Sequence, residues 1–217
     1  MNILEILQGH MTPEVLGALG QQTGATPQQA AQASDSIFST ILGGLAKNAT
    51  TPQGAEGILG ALDRDHDGSI LDDVMGLVTG GGQAAAQPSA LNGAGILGHI
   101  LGGQQSGAMD MIAKATGMDQ SAVGSLMIKL APLVMGVLGK QHQQAGGLGA
   151  AGLGSMLGGA VQTQQSNPMM QMAMNFLDKN GDGSIMDDIM GMATGGGNAA
   201  GGAAGMLGML GNLFGKK

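Results

Sequence analysis

Apolar residues recur at intervals of three and four along most of the chain. Val15, Leu16 and Leu19 make one such face, Ile37, Ile41, Leu42 and Leu45 a second, and Leu126, Leu130, Val134 and Leu138 a third; this is the period of a helix with one side turned inward. Thr12-Pro13 and Thr26-Pro27 stand where helices would begin, offering a hydroxyl to cap the first turn and a proline whose missing N–H costs nothing there. No stretch alternates apolar and polar residues over the length of a strand, so the expected fold class is all-α. Pro132 falls inside the third face and predicts a kink. Gly17, Gly43, Gly44, Gly136 and Gly139 interrupt the pattern. Glycine lowers helix propensity, so these positions are expected where helices approach closely.

The pattern occurs twice. Residues 21–48 align with 114–141 at an offset of 93: Thr23-Gly24 falls on Thr116-Gly117, Ile41 on Val134, Gly43 on Gly136, Leu45 on Leu138 and Lys47 on Lys140. Upstream, NILEIL lies on GILGHI at the same offset. Two acidic stretches, DRDHDGSI (63–70) and DKNGDGSI (178–185), and the TGGG after each, lie 115 apart. The difference of 22 residues is an insertion within 141–167, which contains QAGGLGAAGLGSMLGG. The chain therefore reads as an internally duplicated helical protein: a first unit over 1–82, a linker over 83–93, a second unit over 94–197, and a Gly-rich amphipathic tail over 198–217. A repeated unit that cannot bury its own apolar face stacks on its neighbour. The expectation is one core shared by both units about an approximate two-fold.

Composition narrows the chemistry. Of 217 residues, 43 are Gly and 18 Met, whereas Phe38, Phe176 and Phe214 are the only aromatic residues. A core of Leu, Ile, Val, Met and Ala has few rings to lock it. There is no cysteine, which excludes disulfide and thiol chemistry. The net charge of −7, with no basic stripe and no aromatic platform, argues against nucleic acid as a partner. The N-terminus meets Glu5 without a preceding basic segment and does not read as a signal peptide. The most apolar stretch, 126–139, contains Lys129 and Pro132 and is short for a membrane span. A cytoplasmic location is the expectation, with signal-independent export left open.

The acidity is concentrated in two places. Asp63, Asp65, Asp67, Asp72, Asp73, Asp178, Asp182, Asp187 and Asp188 make up nine of the 15 acidic residues. In each cluster, ligands at positions one, three and five precede a glycine at six, and helical patterns flank the loop. That is the arrangement of an EF-hand, in which carboxylates wrap a hard cation and the glycine makes the turn. The expected ligands are Asp63, Asp65, Asp67, Ser69 through its carbonyl, and Asp73 in loop 63–73. In loop 178–188 they are Asp178, Asn180, Asp182, Ser184 and Asp188. Val74 and Ile189 stand where an EF-hand carries its closing glutamate. Asp73 and Asp188 are therefore expected to close the loops one residue early, with Asp72 and Asp187 either capping the exiting helix or closing in their place. The expected cofactor is Ca²⁺ at two sites, with Mg²⁺ the alternative ion; Ile70 and Ile185 would lie side by side.

The segment GATPQQAAQASDSIFSTILGGLAKNATTPQGAEGILGALDRDHDGSILDDVMG resembles the bacterial domain of unknown function 937 family, related to YidB-like proteins. The resemblance covers most of 1–80 and, more loosely, 94–192. It implies a small helical bacterial domain and no established biochemical activity.

Other motifs carry little. His10, His66, His99 and His142 are scattered without ligand spacing, and no histidine site is expected. The GGG runs at 80–82 and 195–197 lack a Walker lysine and read as helix stops. The resulting expectation is a non-enzymatic, calcium-binding structural protein that assembles with itself or with other protein subunits. The alternative is a calcium-responsive module presenting a Met-rich surface, built from Met169, Met170, Met172, Met174, Met186, Met190 and Met192, to a partner.

If both loops bind, calorimetric titration of the full chain gives two Ca²⁺ per chain, and a chelator lowers the melting temperature. Each site binding only the folded state adds about 2.7 kcal/mol at a hundredfold excess over its Kd. A titration without a saturable site, or a melting temperature indifferent to chelator, contradicts the assignment.

Overall fold

In the computed structural model, residues 3–65, 76 and 92–162 are described. Their element order is α1 (Ile3–His10), α2 (Pro13–Thr23), α3 (Pro27–Ala49), α4 (Pro52–Asp65), α5 (Gly93–Leu101), a short 3-10 turn (Gly102–Gln104), α6 (Gln105–Thr116), α7 (Gln120–Gln144) and α8 (Ala150–Gln162). No strand occurs among the described residues.

The helix starts follow the sequence. Thr12 Oγ1 accepts from the Val15 amide at 3.4 Å, and Thr26 Oγ1 from the Gln29 amide at 3.2 Å. Gln29 returns the favour: its Oε1 accepts from the Thr26 amide at 3.1 Å, completing a capping box. Its Nε2 donates to the carbonyls of Thr116 and Gly117, at 3.3 and 3.4 Å. One side chain thus caps α3 in the first unit and ties it to the end of α6 in the second.

The duplication is visible at the backbone. Thr23 Oγ1 donates to Leu19 O at 2.7 Å, and Thr116 Oγ1, 93 residues on, to Ile112 O at 2.8 Å. The next residues, Gly24 and Gly117, take left-handed φ values of 71° and 68°, a conformation glycine adopts without penalty. The amides of Ala25 and Met118 then donate to Gly20 O and Ala113 O. Two α2-like helices end in the same motif, each feeding a long helix.

Those long helices, α3 and α7, organise everything else. α3 packs against every other α-helix of the described residues, and both α1–α2 and α5–α6 touch both long helices. One buried cluster joins residues of both units, including Leu4, Leu19, Ile37, Phe38, Leu97, Ile112, Leu130 and Val134. α3 is buried without a break from Ser36 to Leu45, so it has no solvent face in that stretch. Its polar residues are accommodated locally: the hydroxyls of Ser34, Ser36 and Thr40 each donate to the carbonyl four residues back, at 2.8 Å. Ser39 Oγ is buried without a partner. α7 is long and apolar enough to cross a membrane by composition, but 72% of its most apolar window is buried inside the protein, as in a core helix.

Close approach explains particular glycines. A Cβ at Gly44 would lie 2.7 Å from Ile100 Cγ2, so α5 reaches the α3 backbone only because the side chain is absent. Gly17 has open space around it and no such reason. Pro132 sits inside α7, which continues to Gln144. Lacking an N–H, it leaves the carbonyl of Ile128 without its helical donor. The Gly93 α-carbon packs against that oxygen, where a Cβ would overlap it, an approach suited to a weak Cα–H···O contact.

Asp35, half-buried on α3, accepts from Gln8 Nε2 at 3.1 Å. Burial raises its carboxyl above the ordinary value, and the Gln8 hydrogen bond only partly offsets this. A carboxyl raised in the folded state holds its proton more tightly there, so stability falls as pH rises from the ordinary carboxylate value through the raised one.

Two outcomes follow from this packing. Gly93→Ala should destabilise by about 2–3 kcal/mol, read as a lower midpoint in urea; an unchanged midpoint would show that α5 and α7 are not held so closely. Asp35→Asn keeps the acceptor for Gln8 and should raise the melting temperature at pH 7 by no more than about 2 °C, the gain vanishing in acid. A gain independent of pH contradicts the charge argument.

Candidate functional site

Asp63 and Asp65 lie in the last turn of α4. That helix begins where Thr51 accepts the Gly54 amide at 3.1 Å, ahead of Pro52 in the first turn. It docks through Ala55, Ile58 and Leu62, all buried, at the spacing of one helical face. This places Asp63, the residue after Leu62, on an edge facing the end of α7.

There it meets His142. Asp63 Oδ1 is 2.9 Å from His142 Nε2, with the ring 9% and the carboxylate 65% exposed. The Leu148 amide donates to His142 Nδ1 at 2.9 Å. An amide can only donate, so Nδ1 carries a lone pair, Nε2 carries the proton, and the ring is the neutral tautomer donating to Asp63. The turn after α7 fixes the ring from the other side: the Gly146 amide donates to Gln143 O and the Gly147 amide to His142 O. That turn leads into α8, whose Leu153, Leu157 and Ala160 are buried and which packs against α3 and α4.

His142, one of the four histidines scattered along the sequence, is held in this pair. The partners lie 79 residues apart in no common motif; the position of His142 at the junction of repeat and insertion was the available signal. Of the ten expected cation ligands, only Asp63 and Asp65 fall among the described residues. Asp67, Ser69, Asp73, Asp178, Asn180, Asp182, Ser184 and Asp188 lie outside them, as do Ile70, Ile185, the Met-rich segments and the tail. Among the described residues no three metal-ligating side chains converge.

Asp63 nonetheless suits a first ligand. Its carboxylate is exposed and His142 engages only Oδ1; a carboxylate has about four lone-pair directions. Positions two apart on a helix do not share a face, so a cation held by both Asp63 and Asp65 requires the chain to leave helical geometry at Asp63. A cleft of about 590 Å³ lies between α3, α4 and α5, floored by Leu45, Ile58 and Ile96 and edged by Asn48, Arg64 and His99. No acidic side chain lines it among the described residues.

A family model described as a bacterial protein of unknown function, DUF937, matches the chain twice, over residues 5–141 and 142–217. The chain belongs to this family. No curated protein and no solved structure matches it. Membership agrees with the resemblance of the 24–76 segment and with the helical, duplicated architecture, and it brings no activity with it.

Proposed function

We propose that this DUF937 protein is a non-enzymatic structural subunit whose helices are braced by two calcium ions and which assembles with itself or with other protein subunits. The observation that carries the reading is the second copy of the acidic loop. Asp178, Asn180, Asp182 and Gly183 repeat the six-residue spacing of Asp63, Asp65, Asp67 and Gly68, with helical patterns on both sides. Clustered carboxylates repel unless a cation joins them, and a cation that binds only the folded chain stabilises it.

For assembly, the supporting feature is the tail. Met206, Leu207, Met209, Leu210, Leu213 and Phe214 approach a three-four apolar stripe that resembles the opening helix of each unit. A tail of one chain received by the next gives head-to-tail contacts, which build rings or filaments.

Deleting 203–217 tests this. Light scattering of the full chain with Ca²⁺ should show large species that the truncated chain loses while keeping its helical circular dichroism. An unchanged particle size defeats assembly through the tail. A monomer whose apolar dye binding rises with Ca²⁺ favours the Met-rich module instead.

A further inference from the structure

We infer that the cleft between α3, α4 and α5 is a binding site for a small amphipathic anion, an aliphatic chain ending in a carboxylate. The site is built from helices of the shared core and stands or falls independently of the calcium and assembly readings.

The cleft measures about 590 Å³, within the roughly 300–1,000 Å³ of small-molecule sites. Its floor is aliphatic: Leu45, Ile58 and Met135, all buried, with the half-buried Ile96 beside them. The walls are fixed before any ligand arrives. At the end of α3, Asn48 Nδ2 donates to the carbonyls of His99 and Ile100 at 3.3 and 3.1 Å, which ties α5 to α3. On the opposite side α4 lines the cleft with Gly57. A Cβ at Gly57 would meet nothing within 4 Å, so no neighbour requires glycine there, and glycine weakens a helix. What the missing side chain does is leave the cleft its width.

Charge selects the head group. In a chain of net charge −7, this edge carries Arg64 and His99. Arg64 Nε donates to Gly60 O at 2.9 Å, which lays the side chain along α4. Among the described residues its two Nη groups make no hydrogen bond and no ion pair. A guanidinium so placed forks onto a carboxylate, and the imidazole of His99 adds an N–H donor. An aliphatic floor beneath a guanidinium edge matches a fatty-acyl carboxylate. A cationic amphiphile would meet like charge, and a neutral one would leave the guanidinium unused.

Dodecanoate is the probe, kept below its micelle concentration and without added Ca²⁺, which would precipitate it. It is titrated into the full chain carrying isotope-labelled methionine methyls. The Met135 signal, assigned by its loss in Met135→Leu, should shift and saturate. Dodecanol should bind more weakly than dodecanoate, and dodecyltrimethylammonium more weakly still. Arg64→Gln should lower dodecanoate affinity about two- to fivefold, the worth of an exposed ion pair, and leave dodecanol unchanged. Gly57→Leu fills the cleft from an unobstructed position and should abolish the saturating shift without lowering the melting temperature. Three results overturn the assignment: no saturable shift in the unmutated protein, equal affinity for dodecanoate and dodecanol, or full dodecanoate binding in Gly57→Leu. Should Gly57→Leu fold poorly, the comparison of the three amphiphiles on the unmutated protein decides.

Discussion

The contact between the two long helices is what the rest of the structure depends on. With Phe38 the only aromatic side chain in the described core, few large rings are available to fill gaps, and the helices must meet closely if packing is to reach the density of a protein interior. α3 supplies this by having no outward side between Ser36 and Leu45. Its hydroxyls bond back into its own turn, which removes most of the cost of enclosing polar groups. Where α5 reaches the two long helices, glycine replaces side chain: Gly44 beneath Ile100, and Gly93 against the Ile128 carbonyl that Pro132 leaves open. Among the described residues, each long helix is packed by helices of both units.

This constraint also builds the candidate site. Fixing α7 against α3 brings the last turn of α7 beside the last turn of α4, and His142 meets Asp63 there. The insertion does the remainder. Its turn gives His142 the Leu148 amide, and α8 then packs on α3 and α4, holding in place the helix whose last turn carries Asp63. The polar geometry at the edge is thus a consequence of apolar packing at the centre.

Much of this was legible from local pattern. Thr12 and Thr26 cap the helices that follow them, and the Thr-Gly pairs at 23–24 and 116–117 form equivalent turns because short-range chemistry decides both. What the pattern hid was burial on the other face of α3. Ser34, Ser36, Ser39 and Thr40 lie off the Ile37, Ile41, Leu42 and Leu45 face, yet all are buried, since burial depends on how many neighbours surround a helix. α8 was hidden as well: AAGLGSMLGGAVQ reads as a Gly-rich insertion, although Leu153, Leu157 and Ala160 keep helical spacing and are buried. Pairing of Asp63 with His142 is a tertiary event for which no local rule exists. The acidic loops show the reverse case, with residue types that declare a chemistry while only Asp63 and Asp65 fall among the described residues.

The central claim is that α3 and α7 open together or not at all. Native-state hydrogen exchange measures this directly. The amides of Ile37–Leu45 and Leu126–Leu138 should form the most slowly exchanging class and share a single opening free energy equal to that of global unfolding. Exchange of the α3 amides through a separate, lower-energy opening, with α7 still protected, would show two cores side by side and contradict the account.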